Sequence, residues 1–177
     1  FLGDFFEENI LINTNVLKCA KDFGVPNLVS FLSTCIFPAK VKYPLSENML
    51  HKGEPHYTNF AYAYAKRMLE VQTRAYNRQH GLLYNCVTPT NIYGKHDNFN
   101  LQTSHVVPAL IHKCYLAKRD NTPFVVWGSG KPLREFIYAK DVAQLALWAL
   151  HHPEHSNMIL STGTEVSIKE LVFEIAK

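Results

Sequence analysis

The chain has 177 residues, of which 47% are hydrophobic and 19% charged, enough apolar material for one sizeable core. Its net charge of +3 is modest and the basic residues are scattered among acidic ones, which argues against nucleic acid or an anionic membrane as a partner. No apolar run reaches the ~18 residues that span a bilayer, and the opening FLGDFFEEN carries acids where a secretory leader carries Lys or Arg, so the expectation is a soluble, cytoplasmic protein.

In residues 4–23, Phe6, Ile10, Leu17 and Ala20 recur at helical spacing, and Gly24 offers a left-handed terminator. The short apolar segment 27–31 reads as a buried strand ending at Ser33-Thr34-Cys35. A polar stretch, 38–57, follows with the length of a functional loop. Phe60, Tyr64, Met68, Val71 and Ala75 then mark the apolar face of a helix that stops before Gly81. A strand at 82–88 is broken by Pro89-Thr90-Asn91, and a polar loop through Asn100 leads to a helix at 104–118. Beyond it the pattern predicts a strand at 124–127, a turn at 128–132, an extended piece at 134–138, and a helix whose face holds Val142, Leu145, Ala146 and Ala149. A strand at 158–161 and a helix opened by the capping box Ser167-Ile-Lys-Glu170 complete the reading. Strands alternating with helices define an α/β fold, a Rossmann-like, mostly parallel sheet with flanking helices.

The four cysteines, Cys19, Cys35, Cys86 and Cys114, form no C-x-x-C pair and have no histidine at ligand spacing, so no metal site is expected. Three of them lie in apolar runs as small buried hydrophobes; Cys35 sits instead at a strand mouth, two residues after Ser33. Tyr62 and Lys66, four apart, share one side of a helix and can act on one reacting centre. An ammonium held close to a phenol favours the phenolate and lowers its pKa, allowing Tyr62 to exchange a proton with a carbonyl oxygen. Taken alone, the pair also describes a solvated helix face. Context adds weight, because Ser33 and Pro89-Thr90-Asn91 end neighbouring strands at the edge where open α/β sheets bind ligands.

Strand end, Tyr/Lys helix, strand end is the layout that resembles short-chain dehydrogenases/reductases, with Ser33, Tyr62 and Lys66 matching the catalytic triad. The stretches LSTCIFP (32–38), YAYAKRM (62–68), PTNIYGKHDNFN (89–100), SHVVPALIHK (104–113) and VVWGSGKPLREFIYAKDVA (125–143) resemble the GDP-L-fucose synthase family, the GDP-4-keto-6-deoxy-D-mannose epimerase/reductases.

The resemblance implies epimerisation at C3 and C5 of a 4-keto GDP-sugar, followed by reduction of C4 by NADPH. Cys35 and His105 match the pair that moves protons at the epimerised carbons, a task needing one group to remove a proton and another to return one. Ser33 and Tyr62 match the donors to the ketone oxygen, and Lys66 matches the lysine that also holds the nicotinamide ribose. Pro89, Thr90, Asn91 and His105 match cofactor-binding positions; Lys113, Trp127 and Arg134 match substrate-binding ones, with Arg134 at the diphosphate. A homodimer through the helices at 4–23 and 58–80 is implied as well.

The Gly-rich turn that cradles a dinucleotide pyrophosphate has no counterpart here; the nearest approach, Gly128-x-Gly130, is followed by Lys-Pro. The expectation is therefore a fragment: residues 1–125 as the C-terminal half of the NADP-binding domain with the catalytic residues, and 126–177 as part of the substrate-binding region. Two alternatives stand beside it, another nucleotide-sugar epimerase or dehydratase of the same superfamily and a non-catalytic remnant that acts by binding.

Overall fold

In chain order the elements are α1 (Leu2–Asp22), β1 (Asn27–Phe31), α2 (Phe60–His80), β2 (Leu83–Pro89), β3 (Asn91–Tyr93), α3 (Val106–Arg119), β4 (Leu133–Tyr138), α4 (Ala139–His151), β5 (Asn157–Leu160), β6 (Glu165–Ser167) and α5 (Ile168–Ile175). A computed structural model describes all 177 residues. It divides into two units, Phe1–Thr90 with Ala143–Leu160, and Asn91–Val142 with Ser161–Lys177.

The first unit is a parallel sheet of order β1-β2-β5. β2 lies in the middle and is buried without interruption from Tyr84 to Thr88, as a parallel strand covered on both faces must be. Two of its side-chain donors find partners outside the sheet. The Tyr84 hydroxyl donates to the Val25 carbonyl at 3.0 Å, and the Asn85 amide donates to the Ala149 carbonyl at 2.6 Å, satisfying a carbonyl near the end of α4. Helix α2 ends where Gly81 adopts φ 65°, a left-handed conformation that spares glycine the Cβ clash, and its N–H closes on Asn77 O at 2.9 Å. Asn77 then carries the chain into the sheet, its side chain bonding both N–H and C=O of Tyr84.

The core joins Leu17 and Ala20 of α1, Leu69 of α2, Tyr84 and Cys86 of β2, and Leu32, Ile36, Phe37 and Leu50 from the chain after β1. That chain has no strand; between Phe37 and α2 it holds only two short 3-10 turns, Glu47–Met49 and Tyr57–Asn59.

The second unit pairs β3 with β4 in parallel and β4 with β6 antiparallel, Arg134 lying opposite Val166. One Glu135 carboxylate oxygen accepts from Ser161 Oγ at 2.6 Å, from Gly163 N at 2.8 Å and from Thr162 N, tying the turn 161–163 to β4. Burial alone pushes that carboxyl up, but these donors outweigh it and hold it below the usual glutamate range. Helix α5 opens with the expected capping box: Ser167 Oγ accepts from Glu170 N, and Glu170 accepts from Ser167 N.

Four expectations are corrected. Of the three cysteines expected as buried hydrophobes only Cys86 is buried, while Cys19 is exposed and Cys114 half-buried. No strand forms at 124–127, where Val125 and Trp127 stand exposed and unpaired; an apolar run needs a neighbouring strand as well as β propensity. The short strands β3 and β6 replace what reads as loop. The stripe Phe60, Tyr64, Met68, Val71 and Ala75 is not the buried face of α2, since Phe60 and Met68 are 44% and 40% exposed and Ala75 is exposed as well. The helix instead buries Ala61, Ala63, Ala65, Arg67, Leu69 and Thr73, the three alanines allowing close approach to its neighbours.

Cys86 offers a test of this core. Burial pushes its thiol up to about 12, from an ordinary value of 9.0, so the folded chain holds a proton that the unfolded chain releases. Below about pH 9 both states keep the proton. Between about pH 9 and about pH 12 the stability contribution declines as pH rises, and it is lost above the folded value. Urea unfolding of the wild type and Cys86→Val at about pH 7 and about pH 10.5 is expected to show the wild type losing stability relative to the variant, by up to ~1.4 kcal/mol per pH unit.

Candidate active site

Backbone geometry at the carboxyl end of β1 creates the site. Leu32 N donates to Val87 O at 2.8 Å, extending the sheet pairing by one residue. The chain then enters a 3-10 turn, Thr34–Ile36, with Ser33 as its N-cap. Ile36 is fully buried and Phe37 nearly so. The residues displayed between these anchors, Ser33, Thr34 and Cys35, are all half-buried. Cys35 N donates to Ser33 Oγ at 3.4 Å, and Ser33 Oγ donates to Cys35 Sγ at 3.2 Å, so hydroxyl and thiol are neighbours.

Tyr62, on the first turn of α2, faces this pair. Its phenol is held above the ordinary tyrosine value first by burial and second by the negative charge that Cys35 carries when ionised, while the Ser33 hydroxyl favours the phenolate and partly offsets both. Lys66, one turn on, donates from Nζ to the Phe31 carbonyl at 3.1 Å and lies 5.9 Å from the Tyr62 ring centre. Burial lowers the Lys66 pKa. The expectation that the ammonium would draw the phenol pKa down is therefore corrected: burial holds the phenol pKa up, and the ammonium is anchored on a β1 carbonyl. At neutral pH this leaves Tyr62 a protonated donor.

Pro89 and Thr90 end β2, the strand beside β1, with Pro89 opposite Leu160 of β5. Thr90 N donates to Leu160 O at 3.0 Å, but its buried hydroxyl has no partner. Asn91 opens β3 in the second unit, where its amide donates to Glu135 O at 2.8 Å.

His105, Lys113, Trp127 and Arg134 also belong to the second unit. His105 is the exposed N-cap residue of α3. Lys113 Nζ lies 4.0 Å from the centre of the Trp127 ring, a cation–π contact on a ring that is 81% exposed. Arg134 donates to the carbonyl of its own neighbour, Leu133, at 2.7 Å, leaving most of the guanidinium fork free. A cavity of about 280 Å³ in this unit is walled by Tyr93, Val107, Pro108, Ile111 and Tyr138, and no candidate residue lines it.

One residue that sequence reasoning passes over is Arg67. No motif singles it out beside Lys66, yet it is buried and donates from Nε to the Ile36 carbonyl at 2.6 Å. Nothing in the local spacing marks it; only the packing does.

Parallel strands whose carboxyl ends carry Ser33 and Thr90, joined by a helix bearing Tyr62 and Lys66, define a Rossmann-like α/β protein. Residues 2–161 match the NAD dependent epimerase/dehydratase family, and the chain belongs to it. A GDP-L-fucose synthase from Dictyostelium discoideum is 54% identical over 93% of this chain and 52% of its own length. A crystal structure of a GDP-L-fucose synthetase from Naegleria fowleri superposes with a TM-score of 0.94 at 45% identity, covering 99% of this chain and 56% of that one. The same protein bound to NADP gives a TM-score of 0.91. The chain thus spans about half the length of the relatives it matches.

The opposing influences on Tyr62 predict opposite titration shifts. Ser33→Ala is expected to raise the Tyr62 pKa further, and Cys35→Ala to lower it, in NMR titrations of ring-labelled tyrosine. Shifts of the same sign in both variants would contradict this arrangement.

Proposed function

We propose that the chain carries the catalytic portion of an enzyme that epimerises C3 and C5 of GDP-4-keto-6-deoxy-D-mannose and reduces its C4 ketone with NADPH, giving GDP-L-fucose. The observation that carries this reading is the contact of Ser33 with Cys35 beside a Tyr62 phenol that stays protonated. Ketone reduction alone needs a hydroxyl and a phenol; a thiol built into the same turn serves proton transfer at the carbons flanking the ketone.

In both halves of the reaction negative charge gathers on the ketone oxygen. Ser33 and Tyr62 are the donors proposed to receive it, each contributing a few kcal/mol, about 3, of the kind that oxyanion donors provide. Cys35 exchanges a proton at the ring carbon, and His105, at the start of α3, is the proposed second acid/base of that exchange. Tyr62 gives its proton to the alkoxide that reduction produces. The donor set fits NADPH: Thr90 holds a buried hydroxyl without a partner at the β2 end, and Lys66 offers an ammonium at the β1 end. That cofactor supplies the hydride when bound, with Lys66 proposed at its ribose and Pro89, Thr90, Asn91 and His105 along it. Lys113, Trp127 and Arg134 are the proposed hold on the GDP moiety, the guanidinium suited to the diphosphate.

We also infer a homodimer. Leu2, Phe5, Ile12 and Val16 stand exposed on one side of α1, and Phe60 and Met68 on α2, apolar side chains that a second copy would cover. No helix is long and apolar enough to cross a membrane; a nucleotide-sugar and NADPH as reactants fit the cytoplasm.

In protein containing this sequence, Cys35→Ser is expected to cut solvent-deuterium incorporation at C3 and C5 by about 10²–10⁴, while leaving part of the ketone reduction. Unchanged incorporation would remove Cys35 from the mechanism. Tyr62→Phe is expected to slow NADPH oxidation by a similar factor with an unaltered melting temperature, and a normal turnover would refute its role as proton donor.

A further inference from the structure

A buried guanidinium without a carboxylate is costly, because desolvation penalises the charge and no Coulomb attraction offsets it. Arg67 is in that position. It is 4% exposed, no acidic side chain pairs with it, and its Nη2 has no hydrogen-bond partner. Two contacts hold it: Nε donates to the Ile36 carbonyl at 2.6 Å, and the guanidinium lies 5.4 Å from the centre of the Tyr64 ring. Ile36 ends the 3-10 turn that displays Cys35, and no backbone N–H takes its carbonyl. Without Arg67 that oxygen is an orphan acceptor in the core.

The identity of the side chain matters for what it fixes. A rigid planar fork resting on an aromatic ring sets the direction of its Nε–H as well as its reach. The carbonyl it clasps is one residue beyond Cys35, and the preceding anchor is the Leu32–Val87 hydrogen bond. With both ends held, the thiol has little freedom except against Ser33. We propose that Arg67 is a positioning residue for Cys35, acting through the Ile36 carbonyl to hold the turn in the register where thiol and Ser33 hydroxyl meet. The functional value of that register rests on the reading of Cys35 as an acid/base group; the mechanical role does not.

The test uses the cysteines already in the chain. Iodoacetamide labelling, resolved by peptide mass spectrometry, reads Cys35 alongside exposed Cys19 and fully buried Cys86. Cys19 reports the reagent, and Cys86 reports global unfolding. In Arg67→Met, Cys35 labelling is expected to rise about fivefold over the wild type, the change that loss of one net hydrogen bond gives to a local opening, with Cys86 protection retained. Arg67→Lys, which keeps a charged donor but loses the planar fork, is expected to bring Cys35 only part of the way back, to about twofold over the wild type. The proposal is overturned if Cys35 labelling is unchanged in Arg67→Met, if it rises no more than that of Cys86, or if Arg67→Lys is no closer to the wild type. A Met variant that fails to fold labels both sites together and counts against the proposal unless Arg67→Lys separates them. Labelling needs neither sugar nor cofactor, so absent deuterium exchange in the wild type sinks the function of Cys35 while leaving the turn assignment to stand or fall by itself.

Discussion

The return of the chain to the core at Ile36, five residues after β1 ends, is the constraint on which the rest of the site depends. Ile36 and Phe37 are buried, and Leu32 is still bonded to β2. Three residues strung between two such points have few conformations left, so the entropy of ordering Ser33 and Cys35 is spent in folding rather than in each encounter with a reactant. The small residues Ala61, Ala63 and Ala65 let α2 pack closely, while the longer Tyr62 and Lys66 beside them lie at the β1 end. A precise placement thus rests on common features, a buried isoleucine and three alanines.

Electrostatics at this edge is dominated by burial. Desolvation raises the Tyr62 pKa and lowers that of Lys66, in each case favouring the neutral form. In the proposed reduction, a phenol held protonated gives up its proton when a more basic oxygen forms beside it. The hydroxyl of Ser33 works in the opposite sense, favouring the phenolate that remains after transfer. Donor and recovery are therefore tuned by different neighbours, and neither requires the lysine to sit against the phenol.

What could be read in the sequence was local. β1 follows directly from its short apolar run, the Ser167/Glu170 box from its spacing, and the end of α2 from Gly81. The pattern of Ser33, Cys35, Tyr62 and Lys66 was visible because residues on one turn and on one helix face keep their relation whatever the tertiary setting. What escaped depended on partners distant in sequence. β3 and β6 are three residues each and exist only by pairing with β4. The segment 124–127 has strand-like composition but no neighbour. The orientation of α2 misled because an exposed apolar stripe and a buried one look alike in periodicity. Arg67 was hidden because nothing in its local spacing distinguishes a buried charged residue from an exposed one.

Glu135 has a further consequence for the order in which the molecule takes shape. It sits on β4, yet its carboxylate is engaged by Ser161, Thr162 and Gly163, which follow α4 and β5. Those two elements serve mainly the first unit. On a ribosome, the strand bearing Arg134 emerges well before the residues that bind its carboxylate, and β6, which flanks it, comes later still. The Glu135 contacts that brace the arginine-bearing strand therefore form only after β5 has been translated.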